Sequence, residues 1–95
     1  GGMGVISVLA NILPKETHDM VMNYLNGDTK AATKLQLDAI ELIGALFCEV
    51  NPIPAKAAVS AMGFGEENLR LPLTPMEDAT RAKLYEEMRR LGIEV

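Results

Sequence analysis

The run Val5-Ile6-Ser7-Val8-Leu9, preceded by three glycines and followed mainly by helix signals, constrains this sequence more than any other feature. It is β-branched and does not alternate cleanly between apolar and polar, which is the pattern of a strand buried on both faces. Such a strand carries backbone donors and acceptors that must be paired, and one strand by itself is not stable. The chain supplies no neighbouring strand for it. The sequence therefore reads as a mainly α piece cut from something larger, with one N-terminal strand whose partners lie upstream or on another copy.

Four helices are predicted after the strand. Pro14 suits the first helical position, where its missing N–H costs nothing, and Met20, Val21, Tyr24 and Leu25 then share a face. Gly27 ends this helix as a left-handed cap. Asp28 caps the second and longest helix, whose stripe is Ala32, Leu35, Ala39, Leu42, Ile43 and Leu46. Asn51-Pro52 stops it and caps a third helix, from Pro52 to Met62, closed by Gly63. Phe64 to Leu73 reads as a loop with an extended piece, Leu69-Arg70-Leu71-Pro72. Thr74-Pro75-Met76-Glu77 has the form of a capping box, opening a last helix with Leu84, Tyr85, Met88 and Leu91 on its buried face. Gly92 ends it, and Glu86 and Glu87 stand within reach of Arg90.

Composition narrows the function classes. Among 95 residues, nearly half are hydrophobic, but there are only two Tyr, two Phe and no Trp. The core must be aliphatic with methionine as filler, a composition that favours helices. The net charge of −4 and the lack of a basic cluster beyond Arg89-Arg90 argue against nucleic-acid binding. There is no run of about 18 apolar residues for a membrane span. Nor does a basic n-region precede the first apolar run. The chain begins with Gly rather than Met, which reads as a processed, cut or engineered start. One cysteine excludes an internal disulfide and suits a reducing, cytoplasmic setting.

Few residues invite a chemical reading. His18 and Cys48 could form a base and nucleophile, but nothing in the sequence places them together. A solvated or edge histidine and a free buried cysteine at a helix end are the plainer readings. Adjacent on a helix, His18 and Asp19 should point to different faces. Metal binding needs three or four ligands at workable spacing, and one His and one Cys do not supply them. The glycines Gly1, Gly2 and Gly4 precede the strand instead of linking strand to helix, so a phosphate loop is a weak reading. Lys15 and Lys56 could be nominated for a Schiff base, which needs an amine of lowered pKa; both read as salt-bridged or solvated. Met20, Met22, Met62, Met76 and Met88 read as core filler, and Glu66-Glu67 as loop charge without a second carboxylate for acid–base work. The residues alone form no catalytic constellation.

Three stretches together resemble the dihydrodipicolinate synthase family. They are Gly1-Gly2-Met3-Gly4-Val5-Ile6-Ser7-Val8, Glu49-Val50-Asn51-Pro52-Ile53-Pro54-Ala55-Lys56, and Leu69-Arg70-Leu71-Pro72-Leu73-Thr74-Pro75. The first is shared more loosely with sister Schiff-base lyases such as N-acetylneuraminate lyase and keto-deoxy sugar acid aldolases, any of which is an alternative parent. The resemblance implies a (β/α)₈ barrel followed by a helical appendage. Residues 1–27 would be the last barrel strand and its helix, and residues 28–95 a three-helix appendage. It implies a parent that condenses pyruvate with aspartate semialdehyde, through a barrel lysine Schiff base and a proton-relaying tyrosine, in lysine biosynthesis. Both residues would lie upstream, so no catalytic residue, metal ligand or cofactor is assigned here. The one position carried over is Ile6, whose main chain lines the pyruvate site in the family; Ser7 and Asn11 are its neighbours and receive no role. Barrel active sites gather at the C-terminal ends of strands, which is where Ile6 would fall. The piece alone is expected to be inactive and to self-associate, as a structural or oligomerisation region. A stand-alone helical association module is the other reading.

Overall fold

A computed structural model describes all residues, 1–95, and contains four helices and no strand. The helices are α1 (Pro14–Leu25), α2 (Thr29–Leu46), α3 (Ile53–Ala61) and α4 (Asp78–Arg90), preceded by one 3₁₀ turn at Leu9–Asn11. The fold is mainly α, as expected, and the N-terminal run is unpaired. Residues 1–6 have no regular structure, and Val5 and Ile6 are exposed where burial on both faces was expected. The physical reason is the missing ladder partner. Leu9 leaves the run altogether, since the Ser7 hydroxyl accepts from the Ala10 N–H at 3.2 Å and starts the 3₁₀ turn, which buries Leu9.

Local rules set the α1–α2 hairpin. Gly27 takes a left-handed φ of 92°, which lets the Asp28 N–H reach back to the Asn23 carbonyl at 2.8 Å and close α1. The Asp28 carboxylate then accepts from the Ala31 N–H at 3.1 Å, capping α2. A single aspartate thus closes one helix and opens the next. Left-handed Gly63 and Gly92 end α3 and α4 in the same way: Phe64 N–H bonds back to Val59, and Ile93 N–H to Met88.

Two helix boundaries differ from expectation. α2 stops at Leu46, ahead of Asn51, where the Cys48 thiol donates to the orphan carbonyl of Ala45 at 3.1 Å. Asn51 does not cap α3: Pro52 holds the N-cap position, without a side-chain bond. The Thr74 capping box does not form either, and α4 begins at Asp78 with Glu77 as an extended N-cap. Ahead of the helix Met76 is buried in the core, and its carbonyl and the Glu77 N–H are taken by Arg81 and Glu49.

The core lies where α2, α3 and α4 meet. Leu42 and Leu46 from α2, Ala57 and Ala58 from α3, and Leu84 and Met88 from α4 are fully enclosed. Ile12 and Leu13 close it from the N-terminal side. The α2 and α4 stripes point as predicted, with Leu35, Ile43, Tyr85 and Leu91 half-buried at their edges. α1 differs. Met20 and Val21 are half-buried, whereas Tyr24 is 60% and Leu25 40% exposed, because their side of the helix borders a groove and not the core. The methionines divide likewise: Met76 and Met88 fill the core, Met20 and Met62 lie at its edge, and Met22 is exposed, contrary to the filler reading.

Candidate functional site

Two concavities meet at residues 6–8. The larger, about 660 Å³, is mostly apolar and runs between the N-terminal segment and the outer faces of α1 and α2. Val5, Val8, Tyr24, Leu25, Leu37 and Phe47 supply much of its wall. The glycines Gly1, Gly2 and Gly4 border the same groove, which is a setting for apolar packing and not for a phosphate.

The smaller concavity, about 370 Å³, is more polar. It lies between the 3₁₀ turn and the start of α3, and Ile6, Ser7, Asn11, Asn51 and Lys56 border it. Ile6 is fully exposed, so its main chain is open to a ligand. The Ser7 hydroxyl is engaged with the Ala10 N–H, and the Asn11 amide donates to the Val8 carbonyl at 3.0 Å. Those bonds fix the backbone of residues 7–11, which directly follows Ile6. Lys56 is exposed and makes no ion pair. The structure therefore gathers Ile6, Ser7, Asn11 and Lys56, with Asn51 of the Asn-Pro-Ile-Pro motif, around one opening.

The remaining candidates lie elsewhere. Lys15 pairs with Asp19 at 2.6 Å. That hydrogen bond raises the Lys15 pKa, the wrong direction for an imine-forming amine. The same bond, with a smaller contribution from His18, holds the Asp19 carboxyl below its ordinary range. His18 does meet its neighbour, Nδ1 lying 3.2 Å from Asp19 Oδ1, so the expectation that the two diverge fails. Two exposed side chains with free rotamers can bend toward each other even from adjacent positions. Cys48 is exposed, not buried, and its thiol bonds the Ala45 carbonyl, so it shares nothing with His18. No cluster of three or more His, Cys, Asp or Glu is placed to hold a metal ion. No helix is long and apolar enough to cross a membrane.

Helix-spacing rules point to none of the polar framework around the start of α4. Glu67, read as loop charge, forms a two-pronged ion pair with Arg81, whose Nη2 also donates to the Met76 carbonyl at 3.0 Å. These bonds hold the Glu67 carboxyl below the ordinary glutamate range and push the Arg81 guanidinium further up. Glu66 only accepts from Asn68 nearby. Glu49 reaches α4, accepting from the Glu77 N–H at 3.1 Å and from the Thr80 hydroxyl. Glu67 and Arg81 stand 14 residues apart, and Glu49 stands 28 and 31 residues from its two partners, beyond the reach of helix spacing rules.

Comparison with known proteins places this arrangement. Residues 1–91 match the dihydrodipicolinate synthetase family, and the chain belongs to that family. It is 54% identical over 93 residues to the 4-hydroxy-tetrahydrodipicolinate synthase of Lachnoclostridium phytofermentans and 53% identical over 93 residues to that of Alkaliphilus oremlandii, covering 98% of this chain in each case. It spans 32% of the length of each of these relatives. Among solved structures, dihydrodipicolinate synthase from Thermotoga maritima superimposes with a TM-score of 0.95 at 40% identity, covering 98% of this chain and 32% of that one. The enzyme from Aquifex aeolicus gives 0.96 at 36% identity, covering 100% and 32%. The all-helical chain thus matches about a third of these barrel enzymes, as the helical C-terminal region does.

Proposed function

We propose that this chain serves as the C-terminal part of a 4-hydroxy-tetrahydrodipicolinate synthase, a cytoplasmic enzyme that condenses pyruvate with aspartate semialdehyde in lysine and diaminopimelate biosynthesis. In this reading residues 1–27 complete the barrel and residues 28–95 form the appendage. The lysine that forms the Schiff base and the tyrosine that relays protons are supplied from outside the segment. Ile6 lends its main chain to the pyruvate site.

The observation that carries the reading is the smaller groove. It brings the exposed main chain of Ile6 beside Asn51, so that two of the three family-like stretches share one opening. The nucleophile is absent from that opening in a usable form, since Lys15 lies elsewhere on α1, paired and with a raised pKa. Lys56 stands at the rim, exposed. A Schiff-base lysine is instead activated by burial or a neighbouring cation.

Split-enzyme complementation tests this directly. The chain alone, given pyruvate and aspartate semialdehyde, is expected to show no condensation, and mixing it with the upstream two-thirds of a family synthase is expected to restore turnover. Turnover by the chain alone contradicts the reading.

The apolar groove supports a second property, self-association of the isolated chain. Its wall exposes Met3, Val5, Tyr24, Leu37 and Phe47 together, and clustered apolar surface of that kind seeks cover. Sedimentation velocity across a concentration series should show a dimer or larger species, and a clean monomer at high concentration contradicts it.

A further inference from the structure

The stretch between α2 and α3 is a strut pinned at both ends. At one end the half-buried Glu49 carboxylate accepts from the Glu77 N–H at 3.1 Å and from the Thr80 hydroxyl. At the other end Ile53 is buried in the core, and its N–H closes a turn on the Val50 carbonyl at 2.9 Å. Only Val50, Asn51 and Pro52 lie between these anchors, and Asn51 and Pro52 border the polar groove opposite Ile6.

The bond at the Glu49 end has no substitute. α4 lacks a side-chain cap of its own, since Glu77 holds the N-cap position without one and Thr74 lies too early. The first turn of a helix presents unpaired N–H groups and a partial positive charge, which a carboxylate satisfies well. Here the carboxylate comes from 28 residues earlier in the chain. The energy of that cap therefore acts on the strut as well as on the helix. The same first turn is steadied from its far side, where Arg81 grips Glu67 and the Met76 carbonyl, so Glu49 is anchored to a rigid element.

We infer that Glu49 is a positioning residue: by tying its loop to the first turn of α4, it sets where Asn51 stands on the rim of the groove that displays Ile6. The inference rests on the reading of that groove as part of the substrate site. Without the Glu49 bond, the Val50–Ile53 turn keeps its own closure but loses its tie to α4, so the turn and the Asn51 it carries shift together.

Nuclear magnetic resonance of the 95-residue chain tests the placement, with Glu49→Ala and Glu49→Gln compared with the parent. Glu49→Ala is expected to speed exchange of the Glu77 amide about 10-fold or more, as loss of a charge-assisted bond does. It is also expected to move the Asn51 side-chain amide resonances, while the Leu84 and Met88 methyl signals stay in place. Glu49→Gln, which keeps an acceptor oxygen, should restore most of the Asn51 signal position. If Glu77 exchange rises while the Asn51 resonances do not move, Glu49 is a helix cap only and the inference is overturned. Should Glu49→Ala fail to fold, Thr80→Val removes one donor and leaves the carboxylate, and the same Asn51 resonances decide. A complete synthase carrying this segment separates the two layers of the reading. There Glu49→Ala should raise a substrate KM about 10-fold with a smaller change in kcat. Moved Asn51 resonances with an unchanged KM uphold the positioning and overturn the substrate-site reading of the groove.

Discussion

The two sides of α2 are built to different standards. Toward α3 and α4, Leu42 and Leu46 are enclosed with Leu84 and Met88, and the polar groups around them are tied by Glu49, Glu67 and Arg81. Toward α1 and the N-terminal segment, Leu37 is 61% and Phe47 56% exposed, and Val5 and Ile6 have no partner. One side is finished within this chain. The other has the apolar content of an interior and the exposure of a surface, which is the condition of a face made to be covered. That contrast separates a core packed within this chain from an open apolar face, the face that the proposed barrel would cover.

The contrast is broken most severely from the finished side. Met88→Ala removes a fully enclosed side chain and should cost about 2–5 kcal/mol in chemical denaturation, a large share of the stability of so small a domain. Next comes Arg81→Ala, which strands the mostly buried Glu67 carboxylate and should cost about 1–3 kcal/mol by the same measurement. This pair also sets an acid dependence. Because the folded pKa of Glu67 is depressed, its contribution is fully present above the ordinary glutamate range and is lost as pH falls through the folded value. Denaturation midpoints should therefore drop on acidification below about pH 4.3, and Glu67→Gln should flatten that part of the profile.

Asp28→Ala probes the hairpin that joins the two sides and should cost about 1 kcal/mol, the usual value of an N-cap. The smallest effect on stability belongs to the open side. Tyr24→Ser should leave the unfolding free energy within about 0.5 kcal/mol, since the ring packs against little. It should nevertheless weaken self-association in sedimentation, and this split between stability and assembly is the sharpest form of the comparison.

The parts of the fold legible in the sequence are those decided within a few residues. Pro14 at the start of α1, Gly27 and Asp28 between α1 and α2, and Gly63 and Gly92 at helix ends act where the sequence places them. The Leu42–Leu46 and Leu84–Met88 faces follow from helical period alone. What failed was decided at a distance. The Val5–Leu9 run has the composition of a strand, but a strand is a property of two segments and the second is not here. The Thr74 box obeys its local rule yet does not form, and the Glu77 N–H is capped instead by Glu49 from 28 residues earlier. Of the residues bordering the smaller groove, Ile6 was singled out through family resemblance, and its role there is a proposal. Asn51 stood out as a helix stop but not as a groove residue. The Glu49 bonds to α4 and the Glu67–Arg81 pair span 14 or more residues and leave no periodic trace.

The central claim is that this segment lends backbone and packing to a Schiff-base enzyme and carries none of its covalent chemistry. Intact mass spectrometry after incubation with pyruvate and borohydride tests it most directly, because reduction traps any imine formed on a lysine. The expected spectrum shows the unmodified mass of the 95-residue chain. A pyruvate adduct on Lys15 or Lys56 would contradict the claim and place a reactive amine inside the segment.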